Sequence, residues 1–226
     1  MTRIAIVGGH GKVARQLIHV LRRADHDPVA LVRNEDYRAE LEERGAEVRL
    51  LDIERDDADA FAVAFEGCGA VVFAAGGGPD GKIERKRTVD LEGSLKSIEG
   101  ARRAGIERFV QVSAIGVDDP LPDDTSEVWR AYVEAKRDAD AALRASDLAW
   151  TILRPGRLTD DPATGKVSLG ADVSRGDVTR ADVAAVLAAV LDAPGTAGQQ
   201  WNLVNGDVPV EEAVRAAQSS SSASEE

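Results

Sequence analysis

Residues 3–24, RIAIVGGHGKVARQLIHVLRRA, decide the fold. A short apolar strand pattern runs into Gly8, Gly9 and Gly11, and from Lys12 onward apolar residues recur at helical spacing. Read as G-x-x-G-x-x-A over Gly8–Ala14, the interruption is a tight strand-to-helix turn. Glycines there let backbone N–H groups approach a pyrophosphate, and the helix that follows presents its positive N-terminal end to the charge. A glycine pattern alone is a weak signal, and a plain turn is the competing reading. The position of this one, on the first strand of a β-α-β unit, gives it meaning.

The same rhythm continues along the chain. Strand patterns at PVALVR (28–33), EVRLLD (47–52), AVVFAA (70–75), RFVQVSA (108–114) and AWTILRPG (149–156) alternate with helical ones at YRAELEERG, DAFAVAFEG, VDLEGSLKSIEGARRAG and WRAYVEAKRDADAALRAS. Such alternation predicts an α/β fold of the Rossmann type, a doubly wound parallel sheet with helices on both faces. After Pro155 the pattern breaks into short, turn-rich pieces, followed by a helix at TRADVAAVLAAVLDA (179–193) and a strand at WNLV. Thr179 and Asp182 make a capping pair for that helix. We expect a single domain over residues 1–216, with 154–216 as a small substrate-side elaboration. The small, polar and acidic end, 217–226, is expected to be disordered because it cannot bury enough apolar surface to offset ordering entropy.

The ends of the strands supply candidate cofactor contacts. In the glycine turn these are Gly8, His10, Gly11, Lys12 and Val13. Arg33, followed by Asn34, stands where an acidic residue would hold the 2′-hydroxyl of an NAD ribose, so a 2′-phosphate, and hence NADP, is the better expectation. A solvated arginine is the alternative, and Glu35 or Asp36 could still serve NAD. Asp52 and Ile53 close the third strand, where an adenine contact competes with a solvated turn aspartate. In AAGGGPDG (74–81), the backbone at Ala74, Ala75 and Gly76 is expected to line the cofactor; a mobile loop is the alternative.

Composition narrows the partners. The chain has 226 residues, with 28 basic against 40 acidic side chains and a formal net charge of -12, which repels phosphate backbones and anionic membranes. A small-molecule substrate is expected, with neither nucleic acid nor membrane as partner; oligomeric state is not set by the sequence. Cys68 is the only cysteine, so no intrachain disulfide or thiolate cluster can form, and a reducing cytoplasm fits. No leader-like segment or membrane-length apolar run is expected to function as one. The three histidines show no metal-ligand spacing. The basic cluster KIERKR (82–87) reads as a solvated helix start more readily than as an anion site.

Ser113 ends the fifth strand at the carboxyl edge, where open α/β sheets bind ligands. Tyr132 and Lys136 follow on the next helix, four residues apart and therefore on one face. Alone they could be an ordinary surface pair. A serine, then Y-x-x-x-K, behind an N-terminal glycine turn resembles the short-chain dehydrogenase/reductase superfamily. The chain is more narrowly similar to its atypical members, NmrA-like and flavin-reductase-like, often described as NAD(P)-binding or epimerase-like. The resemblance rests on VGGHGKVA, ALVRN, VVFAAGGG, the stretch from VDLEG to SAIG, YVEAKRDADAALRAS, WTILRPGRL and VTRADVA, nearly the whole chain before its tail.

The resemblance implies an NADP-dependent oxidoreductase acting on a small carbonyl, quinone or flavin-like acceptor. Tyr132 would be the general acid. Lys136 would hold the nicotinamide ribose and favour tyrosinate by its charge, and Ser113 would hydrogen-bond the reacting oxygen. Pro155 and Gly156 resemble the segment that passes the nicotinamide. Atypical members often bind cofactor while losing catalytic residues; this chain keeps the triad. The rivals are a dinucleotide-binding regulator or assembly factor without turnover, and a nucleotide-sugar epimerase or dehydratase, for which the region after the sixth strand is short.

Overall fold

The computed structural model describes residues 1–78 and 81–222. Its central sheet is built on strands β1 (Arg3–Val7), β2 (Asp27–Val32), β3 (Glu47–Leu50), β4 (Ala70–Phe73), β5 (Arg108–Val112) and β6 (Ala149–Pro155), all parallel and in the order 3-2-1-4-5-6. Side chains alternate across it: Ile4 and Ile6 enter one core, Ala5 and Val7 the other. Two buried faces explain why these strands read as continuous apolar runs.

On one face lie α1 (Lys12–Arg23), α7 (Arg180–Leu191) and α8 (Val210–Ser222); on the other lie α3 (Ala58–Ala64), α5 (Glu92–Arg103) and α6 (Glu127–Arg144). The short α2 (Arg38–Glu43) caps β3 through buried Leu41. Helix α7, RADVAAVLAAVL, is apolar nearly all round, so it needs cover on two sides. It has that cover, packing against both α1 and α8. Its N-terminus carries the expected capping pair: the Asp182 N–H donates to Thr179 Oγ1 at 2.9 Å, and Thr179 Oγ1–H donates to the Asp182 carboxylate at 2.9 Å.

The region after Pro155 extends the sheet. Strands β7 (Arg157–Thr159) and β9 (Asp177–Thr179) form a separate parallel pair. Strand β10 (Gln199–Asn205) joins β6 in parallel, β8 (Lys166–Gly170) pairs antiparallel with β10, and β11 (Val208–Pro209) pairs antiparallel with β8. Disorder was expected from residue 217, yet α8 runs to Ser222 with Ala217 buried against the first core. Its Ala213, Val214 and Ala217 stripe covers α7, which the polar letters around it conceal. Residues 223–226 lie outside the described residues.

The basic cluster also departs from expectation. It does begin a helix, α4 (Ile83–Arg85), which passes through a π-helical turn (Lys86–Leu91) into α5. But Lys86 is buried and donates to the Gly78 carbonyl, and Arg85 turns inward, so the cluster is only partly solvated. Lodging an extra residue in the helix at that turn is a common device at functional sites. Here it brings Asp90 into the interior beside β4.

Candidate active site

The carboxyl ends of β1 to β4 surround a cleft of about 290 Å³. Its floor is the glycine turn. Gly8 has φ +81°, and a Cβ there would lie 2.8 Å from Ala75 Cα, so only glycine fits. The Gly11 N–H donates to the Gly8 carbonyl at 2.8 Å, closing the turn. Helix α1 then starts with no side-chain cap and no acidic residue in its first turn, the electrostatic condition for receiving a pyrophosphate. Val13 packs into the core, so it can offer only its backbone N–H.

Of the sequence candidates, Gly8, His10, Gly11, Arg33, Asp52, Ile53, Ala74, Ala75 and Gly76 line the cleft. Asp52 does so while also accepting from the Glu54 N–H at 3.0 Å, which gives it a turn-closing role as well. His10 stacks on Tyr37 at 3.6 Å and bonds Glu40 at 3.1 Å. His10 and Arg15 beside the Glu40 carboxylate hold it down to about 2. Asn34 instead accepts from the Asp36 N–H at 3.0 Å as a cap, away from the cleft. Lys12 reaches out to Asp160 at 2.6 Å, toward the elaboration, not to the cleft wall. Pro155 and Gly156 sit at the end of β6 with their backbone engaged: the Pro155 carbonyl accepts from the Ile115 N–H, and the Gly156 N–H donates to Leu203. Gly156 is required by the close approach of the Gly176 carbonyl, a packing role.

Tyr132 and Lys136 share one face of α6, as their spacing requires. Lys136 is buried, and its Nζ lies 3.3 Å from Asp90 Oδ1, 3.1 Å from the Val112 carbonyl and 5.9 Å from the centre of the Phe73 ring. Asp90 Oδ2 accepts from the Gly77 N–H at 2.9 Å. The chain Lys136–Asp90–Gly77 therefore braces α6 against the loop whose residues 74–76 wall the cleft. Burial alone would pull the Lys136 ammonium down, but Asp90 and Tyr132 outweigh it and hold it above its ordinary range.

Tyr132 departs from expectation. A lysine one turn away was expected to draw the phenol toward ionisation. Instead desolvation raises it, Lys136 only partly opposes this, and Asp90 and Asp140 raise it further. The physical reason is burial, which disfavours the charged phenolate, with the Asp90 carboxylate beside Lys136 adding to it. Half-buried Tyr132 is thus a neutral hydrogen-bond donor, flanked by Trp129 with ring centres 5.2 Å apart.

Ser113 is buried and donates to Asp140 Oδ2 at 2.7 Å. Asp140 also receives Gln111 at 2.7 Å and Arg154 at 2.9 Å, and Arg154 continues to Asp118 at 2.6 Å. The Arg154 guanidinium holds the Asp118 carboxyl below its usual range. Residues 132, 136 and 140 recur at four-residue spacing, so an acid on the buried stripe was readable at Asp140. Asp90 was not, because only the π-helical turn rotates it inward. Tyr37, Glu54 and Val89 line the cleft without a sequence signal that singled them out, and Arg85 joins them from the basic cluster that the sequence favoured as solvated. Cys68 borders the second core, and burial pushes its thiol up. Among the described residues no His, Cys, Asp or Glu group could hold a metal, and no helix is long and apolar enough to cross a membrane.

The groups present fit a dinucleotide: a glycine floor that a Cβ would fill, an uncapped helix end, and arginines at the outer rim. A family model described as NAD(P)H-binding matches residues 8–194. An uncharacterized sugar epimerase of Bacillus subtilis, YhfK, is 37% identical over 214 residues, covering 94% of this chain and 99% of that protein. A solved structure from Bacillus halodurans, named as a candidate NAD-dependent epimerase/dehydratase, is 41% identical with a TM-score of 0.88, covering 96% and 100% of the two chains. ChuY, an anaerobillin reductase of Escherichia coli O157:H7, is 29% identical with a TM-score of 0.75, covering 92% and 98%. Glycine turn, strand order and a match spanning both halves of the sheet together show that the chain belongs to the NAD(P)H-binding family, a Rossmann-type group of atypical short-chain dehydrogenase/reductase character.

Proposed function

We propose that the protein is an NADP-dependent oxidoreductase that reduces a small carbonyl, quinone or flavin-like acceptor. The observation that carries this reading is the Tyr132–Lys136 face of α6, braced through Asp90 against the loop that walls the cleft. A nicotinamide dinucleotide, when bound, supplies the hydride. Gly8, Gly11 and the first N–H groups of α1 would hold its pyrophosphate, and Arg33 its 2′-phosphate. Tyr132, kept neutral by desolvation, donates its proton to the acceptor oxygen and is reprotonated from solvent. A raised phenol stays protonated at neutral pH, the form that a proton donor needs. One relative carries a reductase name, and the epimerase names of others place sugar nucleotides on the list of acceptors to try.

The test is NADPH oxidation across a panel of carbonyls, quinones, flavins and sugar nucleotides by the wild type and Tyr132→Phe. Loss of roughly 100-fold or more in kcat in the variant is expected; equal turnover would remove Tyr132 from the chemistry. One observation favours a second reading, a cofactor-binding protein without turnover: Lys136 and Ser113 are both engaged by buried carboxylates. Tight NADPH binding with no oxidation of it on the whole panel would select that reading.

A further inference from the structure

At the outer end of the cleft three charged groups meet in an arrangement that glycine-turn and strand-end logic does not assign. Arg33 leaves β2, Glu54 follows β3, and Arg85 ends α4; all three line the cleft. Glu54 Oε2 lies 3.4 Å from Arg33 Nη1 and 3.7 Å from Arg85 Nε. Its other oxygen, Oε1, accepts from Thr88 Oγ1–H at 2.8 Å. The carboxylate is therefore fixed between two guanidiniums, at the rim where Arg33 would meet a 2′-phosphate.

From this geometry we infer that Glu54 is the specificity-determining residue of the adenosine end, and that it tunes the site toward accepting both NADP and NAD. The inference rests on the cleft being a dinucleotide site. An incoming 2′-phosphate carries about -1.5 to -2 charges and needs arginine donors, of which Arg33 Nη1 is already engaged by Glu54 while Arg85 is held by its charge. It must therefore displace the carboxylate or sit beside it, and like charges at contact distance oppose binding. A ribose bearing a free 2′-hydroxyl meets the opposite situation. A fixed carboxylate accepts from that hydroxyl, and the arginines remain neutralised. One carboxylate thus weakens the phosphorylated ligand and supports the unphosphorylated one. Thr88 makes the arrangement persistent, because its hydroxyl holds Glu54 in place independently of either arginine.

The experiment uses adenosine fragments, which leave the nicotinamide end and Tyr132 out of the readout. Calorimetric dissociation constants for 2′,5′-ADP and for ADP are measured on the full chain, on Glu54→Gln and on Thr88→Val. Glu54→Gln is expected to tighten 2′,5′-ADP by about tenfold and to weaken ADP, shifting their ratio by tenfold or more. Thr88→Val should move the ratio in the same direction by less, since it frees the carboxylate without removing it. An unchanged or reversed ratio in Glu54→Gln, with ADP still bound by the wild type, overturns the inference and leaves the dinucleotide reading standing. If the folded wild type binds neither fragment, the dinucleotide reading fails and the inference fails with it. Circular dichroism and unfolding of both variants check that the fold is retained.

Discussion

Replacing Asp90 by Asn tests the brace between α6 and the cleft wall. Asp90 is fully buried, the Lys136 side chain is 6% exposed, and their charges lie 3.3 Å apart. Removing one partner of such a pair leaves an ion uncompensated in the interior, which costs about 3–5 kcal/mol. Asn retains an oxygen that can accept from the Gly77 N–H, so the loss should fall near the lower end, roughly 3 kcal/mol. The sign of the pH dependence is equally specific. In the wild type Asp90 raises Lys136, so the folded state binds that proton more tightly than the unfolded chain. Without Asp90, burial dominates and depresses Lys136. The variant's deficit should then shrink as pH rises from neutral toward about 10, because deprotonation of the lysine relieves the penalty. Urea unfolding of the wild type, Asp90→Asn, Lys136→Met and the double variant gives the coupling energy directly, expected at about 2–3 kcal/mol. A single-variant cost below about 1 kcal/mol, or strict additivity in the double variant, would refute the pairing on which the site geometry depends.

Arg33→Ala should weaken NADPH by roughly tenfold to a hundredfold and NADH little, judged by calorimetry, from the loss of charge-assisted hydrogen bonds to the 2′-phosphate. Gly8→Ala imposes φ +81° on a residue with a Cβ and brings that atom within 2.8 Å of Ala75 Cα. A stability loss of about 2–4 kcal/mol and loss of cofactor binding are expected from urea unfolding and calorimetry. Tyr132 and Lys136 are both raised in the folded protein. The stability they contribute is therefore complete below their unfolded values and lost as pH climbs through the folded ones, so unfolding free energy should fall above about pH 10. That alkaline decline should be smaller in Lys136→Met.

The parallel sheet was legible because its physics is local and repeated. Short buried strands read as apolar runs, α1 and α6 show helical spacing, and the glycine turn sits where Gly8 must meet Ala75. The cleft's floor and inner wall followed from strand ends alone, since position at a carboxyl edge fixes Arg33, Asp52 and Ala74–Gly76. What sequence reading lost depends on long-range packing. Asp90 reaches Lys136 only through a π-helical turn, and Arg85 enters the cleft from the end of α4, just before that turn. Lys12 and Asn34 have the right chemistry beside the right turns, but Asp160 and the Asp36 N–H engage them elsewhere. The Tyr132–Lys136 spacing was readable; its electrostatics were not, because the burial that raises Tyr132 and the Asp90 carboxylate beside Lys136 both come from the packing of other elements. Helix α8 was hidden by its polar letters, while the reason for it lies in α7, whose apolar circumference needs a second cover.

Everything proposed for this protein depends on the cleft over the glycine turn holding a nicotinamide dinucleotide. Calorimetric titration of the full chain with NADPH, and separately with NADH, tests it most directly. One site per chain is expected, saturable by either cofactor, with NADPH the tighter and with heat abolished in Gly8→Ala that remains folded. No heat with either cofactor, or equal binding by folded Gly8→Ala, would contradict it.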